Sequence, residues 1–203
     1  MKSKRKSELT VQAPLGETTV LLHTCCAPCS SAIIEAMMKS GITPVIYYCN
    51  PNIYPQAEYE IRKDECTRYA RSLGLEIIDA DYDHDDWLEA VKGLENEPER
   101  GGRCLRCFKL RLLRTAEYAA QRGIKVIATT LASSRWKSLD QINEAGQWAC
   151  DEAGRRISGA PVWWSHNWRK GGLQERRLQI IKEYDFYNQQ YCGCEFSMNN
   201  KVL

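Results

Sequence analysis

Hydrophobic positions along the chain alternate between two periodicities. Short runs rich in β-branched and aromatic residues predict strands at 18–23, 44–49, 75–80 and 125–130, with a fifth inside 157–164. Between these runs, apolar residues at helical spacing predict helices at 30–40, 56–73, 87–94, 139–153 and 173–191, and a longer one that starts near Leu105 and ends at Gly123.

This alternation predicts an α/β protein. Its sheet would be doubly wound, Rossmann-like and mostly parallel, with about five strands, helices on both faces and a C-terminal helix that carries Cys192 and Cys194. Residues 1–17 lack periodicity and predict a flexible basic arm, followed by a single domain over 18–203.

The predicted sheet also indicates where a ligand would bind. Ligands of such sheets bind where the strands end, so one crevice is expected to be lined by residues 23–26, 50–52, 79–83 and 129–130. The loop after the first strand has no glycine, so neither a dinucleotide fingerprint nor a phosphate-binding loop is present there.

Composition and charge narrow the class of protein. The chain has 203 residues, 43% hydrophobic and 27% charged, which is typical of one globular domain. The longest apolar runs are strand-sized and predict no membrane span, and no signal-peptide stretch follows the basic N-terminus, so we expect a cytoplasmic protein. The formal net charge is only +2, so a nucleic-acid partner has to be argued from local groups.

Cysteine is the unusual residue. Seven of the ten cysteines fall in three tight groups, Cys25-Cys26-x-x-Cys29, Cys104-x-x-Cys107 and Cys192-x-Cys194. In a protein without a secretion signal, clustered thiols favour a metal or redox site over structural disulfides. Core packing is predicted for the remaining three, Cys49, Cys66 and Cys150.

Two of the cysteine groups lie at predicted helix starts. Cys25 and Cys26 follow the first strand, and Cys104 and Cys107 begin the amphipathic helix, where free N–H groups stabilise thiolates. Four thiolates without a nearby histidine fit either a four-thiolate zinc site or an iron–sulfur cluster, and ligand type alone does not choose between them.

The third group differs because one residue separates its thiols. Gly193 gives the backbone freedom that a small disulfide ring between Cys192 and Cys194 would need. A strained disulfide is easily reduced, which favours a catalytic or regulatory role, and a C-terminal metal clip is the alternative.

Aromatic and basic side chains interleave over 163–172, where Trp163, Trp164 and Trp168 precede Arg169 and Lys170. Stacking surfaces next to cations suit the unstacked bases and phosphates of single-stranded RNA. The alternative is an apolar strand end followed by an ordinary basic loop.

Taken together, these segments resemble the cobalamin-independent epoxyqueuosine reductases of the QueH type over almost the whole domain. The resemblance is carried by LHTCCAPCS at 22–30, NPNIYP at 50–55, Tyr82 with Trp87, ERGGRCLRCF at 99–108, TTL at 129–131, KGG at 170–172, KEY at 182–184 and YCGCEFS at 191–197.

The resemblance implies that the protein is an oxidoreductase that reduces epoxyqueuosine to queuosine at the wobble position of a transfer RNA, the last step of queuosine biosynthesis. It implies a 4Fe-4S cluster held by Cys25, Cys26, Cys104 and Cys107. It also implies a redox-active pair, able to form a disulfide bond, at Cys192 and Cys194. An adjacent mononuclear iron is further implied, with Cys29 or Asp81 as its ligand.

The same resemblance implies two partners. The first is the transfer RNA, which we expect to be held by Arg100, Arg103, Trp168, Arg169 and Lys170. The second is an electron donor such as a ferredoxin or a flavodoxin.

Two other interpretations compete with a reductase. One is a non-catalytic RNA-binding module with a structural zinc site at the four thiolates, and the other is a metal-free thiol–disulfide oxidoreductase that works through Cys192 and Cys194. Residues 134–137, Ser-Arg-Trp-Lys, depart from the family pattern, in which a proline is expected after the serine. Residues 172–177 are also more charged than usual, and both departures concern substrate contacts more than the metal.

Overall fold

The strands of the computed structural model form one sheet in the order β3-β2-β1-β4-β5, and every neighbouring pair is parallel. The structure describes residues 10–187 and 189–198. The strands are β1 (Thr19–Thr24), β2 (Thr43–Tyr48), β3 (Ile77–Asp79), β4 (Val126–Thr129) and β5 (Val162–Trp163). The α-helices are α1 (Ala27–Lys39), α2 (Gln56–Ser72), α3 (His84–Ala90), α4 (Gly102–Gln121), α5 (Leu139–Arg156) and α6 (Leu173–Tyr184).

Strand order places a topological switch point between β1 and β4. The chain winds outward from β1 to β3 on one side and from β4 to β5 on the other. Helix α1 packs with α2 and α6, whereas α4 packs with α3 and α5, and α1 and α4 both contact β1. The two groups of helices cover the two faces of the sheet, so the doubly wound prediction is confirmed.

The apolar residues of β1 follow one another without alternation because this strand lies in the core. Val20, Leu21 and Leu22 are all fully buried, as expected for a central parallel strand covered on both faces. Against it, α4 buries the stripe that begins at Phe108 and continues through Leu112. Among the described residues, none of the helices has the length and apolar character required to cross a lipid bilayer.

The packed domain begins earlier than the sequence pattern indicates. Val11 and Ala13 belong to the hydrophobic core, each with 5% of its surface exposed, and the Val11 N–H donates to Ser40 Oγ at 3.0 Å. Residues from Val11 onward are therefore part of the domain rather than of an arm, because two apolar side chains in a polar stretch reach the core. The first part of the predicted basic arm, residues 1–9, lies outside the described residues.

The last helix ends earlier than predicted. Helix α6 stops at Tyr184, and Asp185 adopts a left-handed conformation with φ of 49°. Phe186 is then buried, with its ring centroid 5.1 Å from that of Tyr69. The prediction that a C-terminal helix carries Cys192 and Cys194 is therefore wrong, since both cysteines lie in the segment beyond the helix.

Substitution of Val11 tests the early start of the domain. Val11→Asp should lower the free energy of unfolding by about 1–3 kcal/mol or more, because an unpaired carboxylate would replace a buried apolar side chain. Gln12→Asp is the matched control, since Gln12 is exposed. Urea unfolding followed by circular dichroism measures both, and equal stability of the two variants would show that this segment does not contribute to the core.

Candidate metal and redox site

A cleft of about 920 Å³ opens at the carboxyl ends of the central strands. Cys25 follows β1, Asn50 and Asn52 follow β2, and Leu131 and Ser133 follow β4, and all five line the cleft. The cleft therefore lies at the switch point, where the fold predicts a ligand site. The expected contribution from 79–83 after β3 is not found among the lining residues.

Three thiols converge at the start of α1. The sulfur atoms of Cys25, Cys26 and Cys29 all lie within 4.8 Å of one another, with 3.9 Å between the first two. Cys26 has an extended backbone, and α1 begins at the next residue, so an extended and a helical cysteine turn their sulfurs to a common point. Within the described ranges, this is the group of metal-ligating side chains close enough to hold a single ion, and it does not include Cys104 or Cys107.

The Cys25 and Cys26 sulfurs each accept a hydrogen bond from outside the triad. Thr130 Oγ1 donates to Cys25 Sγ at 3.5 Å, and Gln189 Nε2 donates to Cys26 Sγ at 2.9 Å. Such donors stabilise sulfur that carries negative charge, whether as a thiolate or as a metal ligand.

Cys104 and Cys107 lie in the first turns of α4 and also accept hydrogen bonds. The Arg100 backbone N–H donates to Cys104 Sγ at 3.3 Å, and Arg111 Nη1 donates to Cys107 Sγ at 3.9 Å. All four cysteines assigned to a cluster by resemblance therefore have a donor at the sulfur.

Two cysteines of the core differ from these four in the surroundings of their sulfurs. Cys66 and Cys150 are buried, and in the part of the chain that the structure describes no hydrogen-bond donor reaches their sulfurs. Burial raises the pKa of Cys150 to about 12 and that of Cys66 well above the ordinary thiol value. The prediction that these two thiols pack in the core is confirmed.

Arg111 is a fully buried cation between the thiols and the end of β2. Its Nε donates to the Cys49 carbonyl at 3.0 Å, and its Nη2 donates to Asn50 Oδ1. No carboxylate forms an ion pair with it among the described residues. Desolvation opposes its charge, but the negative charges of Cys107 and Cys25 outweigh desolvation and raise the pKa of Arg111. The buried guanidinium therefore favours negative charge on the sulfurs that face it.

The three thiols of the triad differ in pKa. Hydrogen bonds from Cys26 and Cys29 hold the pKa of Cys25 well below the ordinary thiol value. Burial raises the pKa of Cys26, and the hydrogen bond to Cys25 raises that of Cys29 to about 12. Cys25 is thus the thiol of the triad that loses its proton most readily, and a metal ion would displace protons from the triad on binding.

The Cys192-Gly193-Cys194 segment places its two thiols in different surroundings. All ten cysteines are free thiols; Cys192 is exposed and lines the cleft, while Cys194 is buried against Trp87, Val91 and Cys107. Burial raises the pKa of Cys194 to about 11. The exposed thiol is therefore the member of the pair that a substrate in the cleft can reach.

Gly193 is required by two independent features of this segment. Its φ of +103° lies in the left-handed region, and a Cβ atom there would lie 2.8 Å from Ile53 Cγ1. Arg62, itself paired with Glu58 at 2.7 Å, donates to the Cys192 carbonyl at 3.4 Å. The Tyr54 N–H donates to the Gly193 carbonyl at 2.8 Å, so the backbone of the pair is fixed on both sides.

Lys137 contacts the exposed thiol. Its Nζ donates to Cys192 Sγ at 3.0 Å. Desolvation opposes ionisation of this thiol, but the charge of Lys137 and its hydrogen bond outweigh desolvation and lower the pKa of Cys192. No local signal in the sequence marks Lys137, because its partner lies 55 positions away.

Two residues expected to bind RNA are buried instead. Arg103 is 2% exposed and donates to the Glu95 carbonyl at 2.6 Å. Trp168 is fully buried, and its ring lies 5.2 Å from that of Trp164. Neither side chain can contact RNA in this conformation, so this part of the expectation is corrected: both serve the packing of the domain.

Of the other residues expected to bind RNA or metal, some lie at the cleft and others do not. Arg100 and Arg169 hydrogen-bond backbone carbonyls of residues 135–137 at the cleft. Lys170 is exposed but does not line the cleft, and the same is true of Asp81. Of the two ligands expected for a second metal, only Cys29 belongs to the thiol group.

The fold and the site define an α/β protein with a group of cysteines suited to holding a metal ion at the carboxyl end of its sheet. Comparison with known proteins agrees: the family model described as epoxyqueuosine reductase QueH matches residues 20–200. The chain belongs to this family of QueH epoxyqueuosine reductases.

Proteins named epoxyqueuosine reductase QueH from three bacteria illustrate the similarity. The Histophilus somni protein is 45% identical over 190 residues, covering 94% of this chain and 76% of its own. The Acinetobacter baylyi protein is 44% identical over 197 residues, covering 96% and 87%. The Thermotoga maritima protein is 33% identical over 183 residues, covering 89% and 90%.

Substitution of Lys137 tests its control over Cys192. Lys137→Met removes a positive charge and a hydrogen bond, so the pKa of Cys192 should rise, and alkylation of this thiol by iodoacetamide should require a higher pH. Mass spectrometry of the peptide that contains Cys192 gives the rate at each pH. Lys92→Met, at an exposed lysine that pairs with Glu89, is the control, and a midpoint unchanged by Lys137→Met would contradict the assignment.

Proposed function

We propose that the protein reduces epoxyqueuosine to queuosine at the wobble position of a transfer RNA. In this proposal Cys25, Cys26, Cys104 and Cys107 hold a 4Fe-4S cluster, and Cys192 and Cys194 form the redox-active pair. The observation that carries the proposal is that each of the four cysteines has a hydrogen-bond donor at its sulfur, and that Cys25 lines the same cleft as the exposed thiol of Cys192.

The residues present fit a negatively charged metal–thiolate group. A buried guanidinium that pairs with no carboxylate of the described residues, as found at Arg111, favours thiolates in their charged form. The lowered pKa of Cys25 has the same consequence. When bound, the cluster would supply single-electron transfer at a potential set by its charge and by hydrogen bonds to its sulfurs.

Cys29 supports the proposed second metal. It belongs to the thiol triad but lies outside the proposed cluster ligand set, and Gln189 Nε2 lies 3.7 Å from its sulfur. A thiol that lines the cleft next to cluster ligands is suited to hold an adjacent mononuclear iron.

The reduction balances with the two thiols of the proposed redox pair. Both carbon–oxygen bonds of the epoxide break, an alkene forms between the two carbons, and the oxygen leaves as water. Cys192, as a thiolate, and Cys194, as a thiol, give up two electrons and one proton and form one sulfur–sulfur bond, and solvent supplies the second proton of the water. An external donor such as a ferredoxin or flavodoxin then returns the pair to the dithiol.

Neighbouring residues set the ionisation and the backbone position of Cys192 and Cys194 for disulfide formation. Lys137 favours the thiolate of Cys192, and Arg62 together with Tyr54 fixes the backbone on either side of Gly193. The buried thiol of Cys194 keeps its proton, which burial stabilises, until the disulfide forms.

The charge of the cleft suits an RNA substrate. Its lining includes one acidic side chain, Glu99, and five cationic ones, Arg62, Arg111, Arg135, Lys137 and Arg177. Although the net charge of the chain is only +2, the local excess of positive charge attracts phosphate groups.

Serine substitutions test the cluster and the pair separately. Replacement of Cys25, Cys26, Cys104 or Cys107 should remove most of about four irons and four sulfides per chain, along with activity. Cys192→Ser and Cys194→Ser should keep iron, sulfide and the reduced-state EPR signal but abolish reduction of transfer RNA that contains epoxyqueuosine. Cys150→Ser, in the core, is the control and should keep both.

The competing interpretations predict other outcomes. One zinc per chain after anaerobic cluster reconstitution, without iron, would identify a structural zinc module. Reduction that survives loss of the four proposed ligands would identify a metal-free thiol–disulfide oxidoreductase.

A further inference from the structure

Trp136 is exposed at the rim of the cleft. Its exposed fraction is 79%, whereas Trp87 and Trp168 are fully buried and Trp164 is 7% exposed. Trp136 also lines the cleft that contains Cys192. Its indole face is therefore open to a ligand that enters the cleft, and tryptophan is enriched where proteins contact their partners.

The loop that presents Trp136 is fixed by hydrogen bonds to its backbone. Arg100 donates to the carbonyls of Arg135 and Trp136, both at 2.9 Å, and Arg169 Nη2 donates to the Lys137 carbonyl at 2.8 Å. Gln141 in turn donates to the Arg100 carbonyl at 2.8 Å. Three consecutive carbonyls are therefore held, so the backbone that carries the exposed indole is fixed at the cleft.

The groups next to Trp136 match a nucleotide strand. Arg135 is exposed, lines the cleft, and its guanidinium forms no hydrogen bond or ion pair within residues 10–187 and 189–198. The next residue, Lys137, contacts Cys192 Sγ at 3.0 Å. Trp136 is thus flanked in sequence by a cation open to solvent and by the lysine that contacts the proposed reacting thiol, and stacking on aromatic rings is how proteins hold unpaired bases.

We propose that Trp136 stacks on the nucleobase adjacent to the modified base of the RNA substrate, with Arg135 contacting the neighbouring phosphate. This inference rests on the proposed function and adds a binding surface to it. Arg100 and Arg169 are then positioning residues, which shape the RNA site through the loop 135–137 rather than by contact with RNA.

Binding of RNA without turnover tests the proposal. The probe is a synthetic anticodon stem-loop RNA with guanosine at the wobble position, titrated into the full chain in the presence of its metals. Trp136→Ala should weaken binding by about 5- to 150-fold, and Trp136→Phe should restore most of the affinity because a phenyl ring also stacks. Leu178→Ala, which removes an apolar side chain 58% exposed and outside the cleft lining, is the matched control and should bind like the unmodified chain.

Two further measurements separate stacking from charge. Bound RNA should quench tryptophan fluorescence in the unmodified chain and much less in Trp136→Phe. The salt dependence of binding should be unchanged in Trp136→Ala, while Arg135→Ala should reduce the slope of log K against log salt by about 0.7, the value for one phosphate contact on a single strand.

Failure of this inference is distinguishable from failure of the proposed function. Affinity and quenching that do not change in Trp136→Ala would overturn the stacking role even if reduction of epoxyqueuosine proceeds. If the proposed function holds, Trp136→Ala should raise KM for the RNA substrate with little change in kcat. Loss of kcat at unchanged KM would assign Trp136 to the reaction itself and would also overturn the inference.

Discussion

The site depends on the contacts that the buried guanidinium of Arg111 makes with the groups around it. Removing an unpaired cation from water costs on the order of several kcal/mol, and the surroundings offer Arg111 a carbonyl, an amide oxygen and sulfur rather than a carboxylate. His23 Nε2 lies 3.0 Å from the same Cys49 carbonyl, so the ends of β1 and β2 converge on one group. The cation therefore joins the sheet to α4 and makes negative charge on the nearby sulfurs favourable.

The local pattern of the sequence is sufficient for the architecture and for placing Cys25 at the edge of the sheet where a ligand would bind. A run such as Val20–Leu22 is apolar throughout only when a strand is covered on both faces, and the stripe of α4 repeats with helical spacing, so both can be predicted without the rest of the chain. The position of Cys25 directly after β1 also follows, because parallel strands all end at one edge of the sheet.

What could not be predicted depends on contacts between distant parts of the chain. Arg111 and Arg103 look like surface charges in an amphipathic helix, yet both are buried. Trp168 next to basic residues has the composition of an RNA-binding segment, but composition does not distinguish a core tryptophan from an exposed one. Helix α6 also lacks a glycine or proline at its end; Asp185 ends it by adopting a conformation that aspartate tolerates better than most residues.

The segments that form the site are synthesised at different times. Its thiols come from the first strand–helix turn, from the start of α4 and from the segment around Cys192, while Gln189 supplies a hydrogen bond to Cys26. During synthesis, the sheet strands β1 to β4 are complete well before residues 189–194 leave the ribosome. The hydrogen bond from Gln189 to Cys26 therefore forms only after the central strands of the sheet have been made, so this part of the site is completed last.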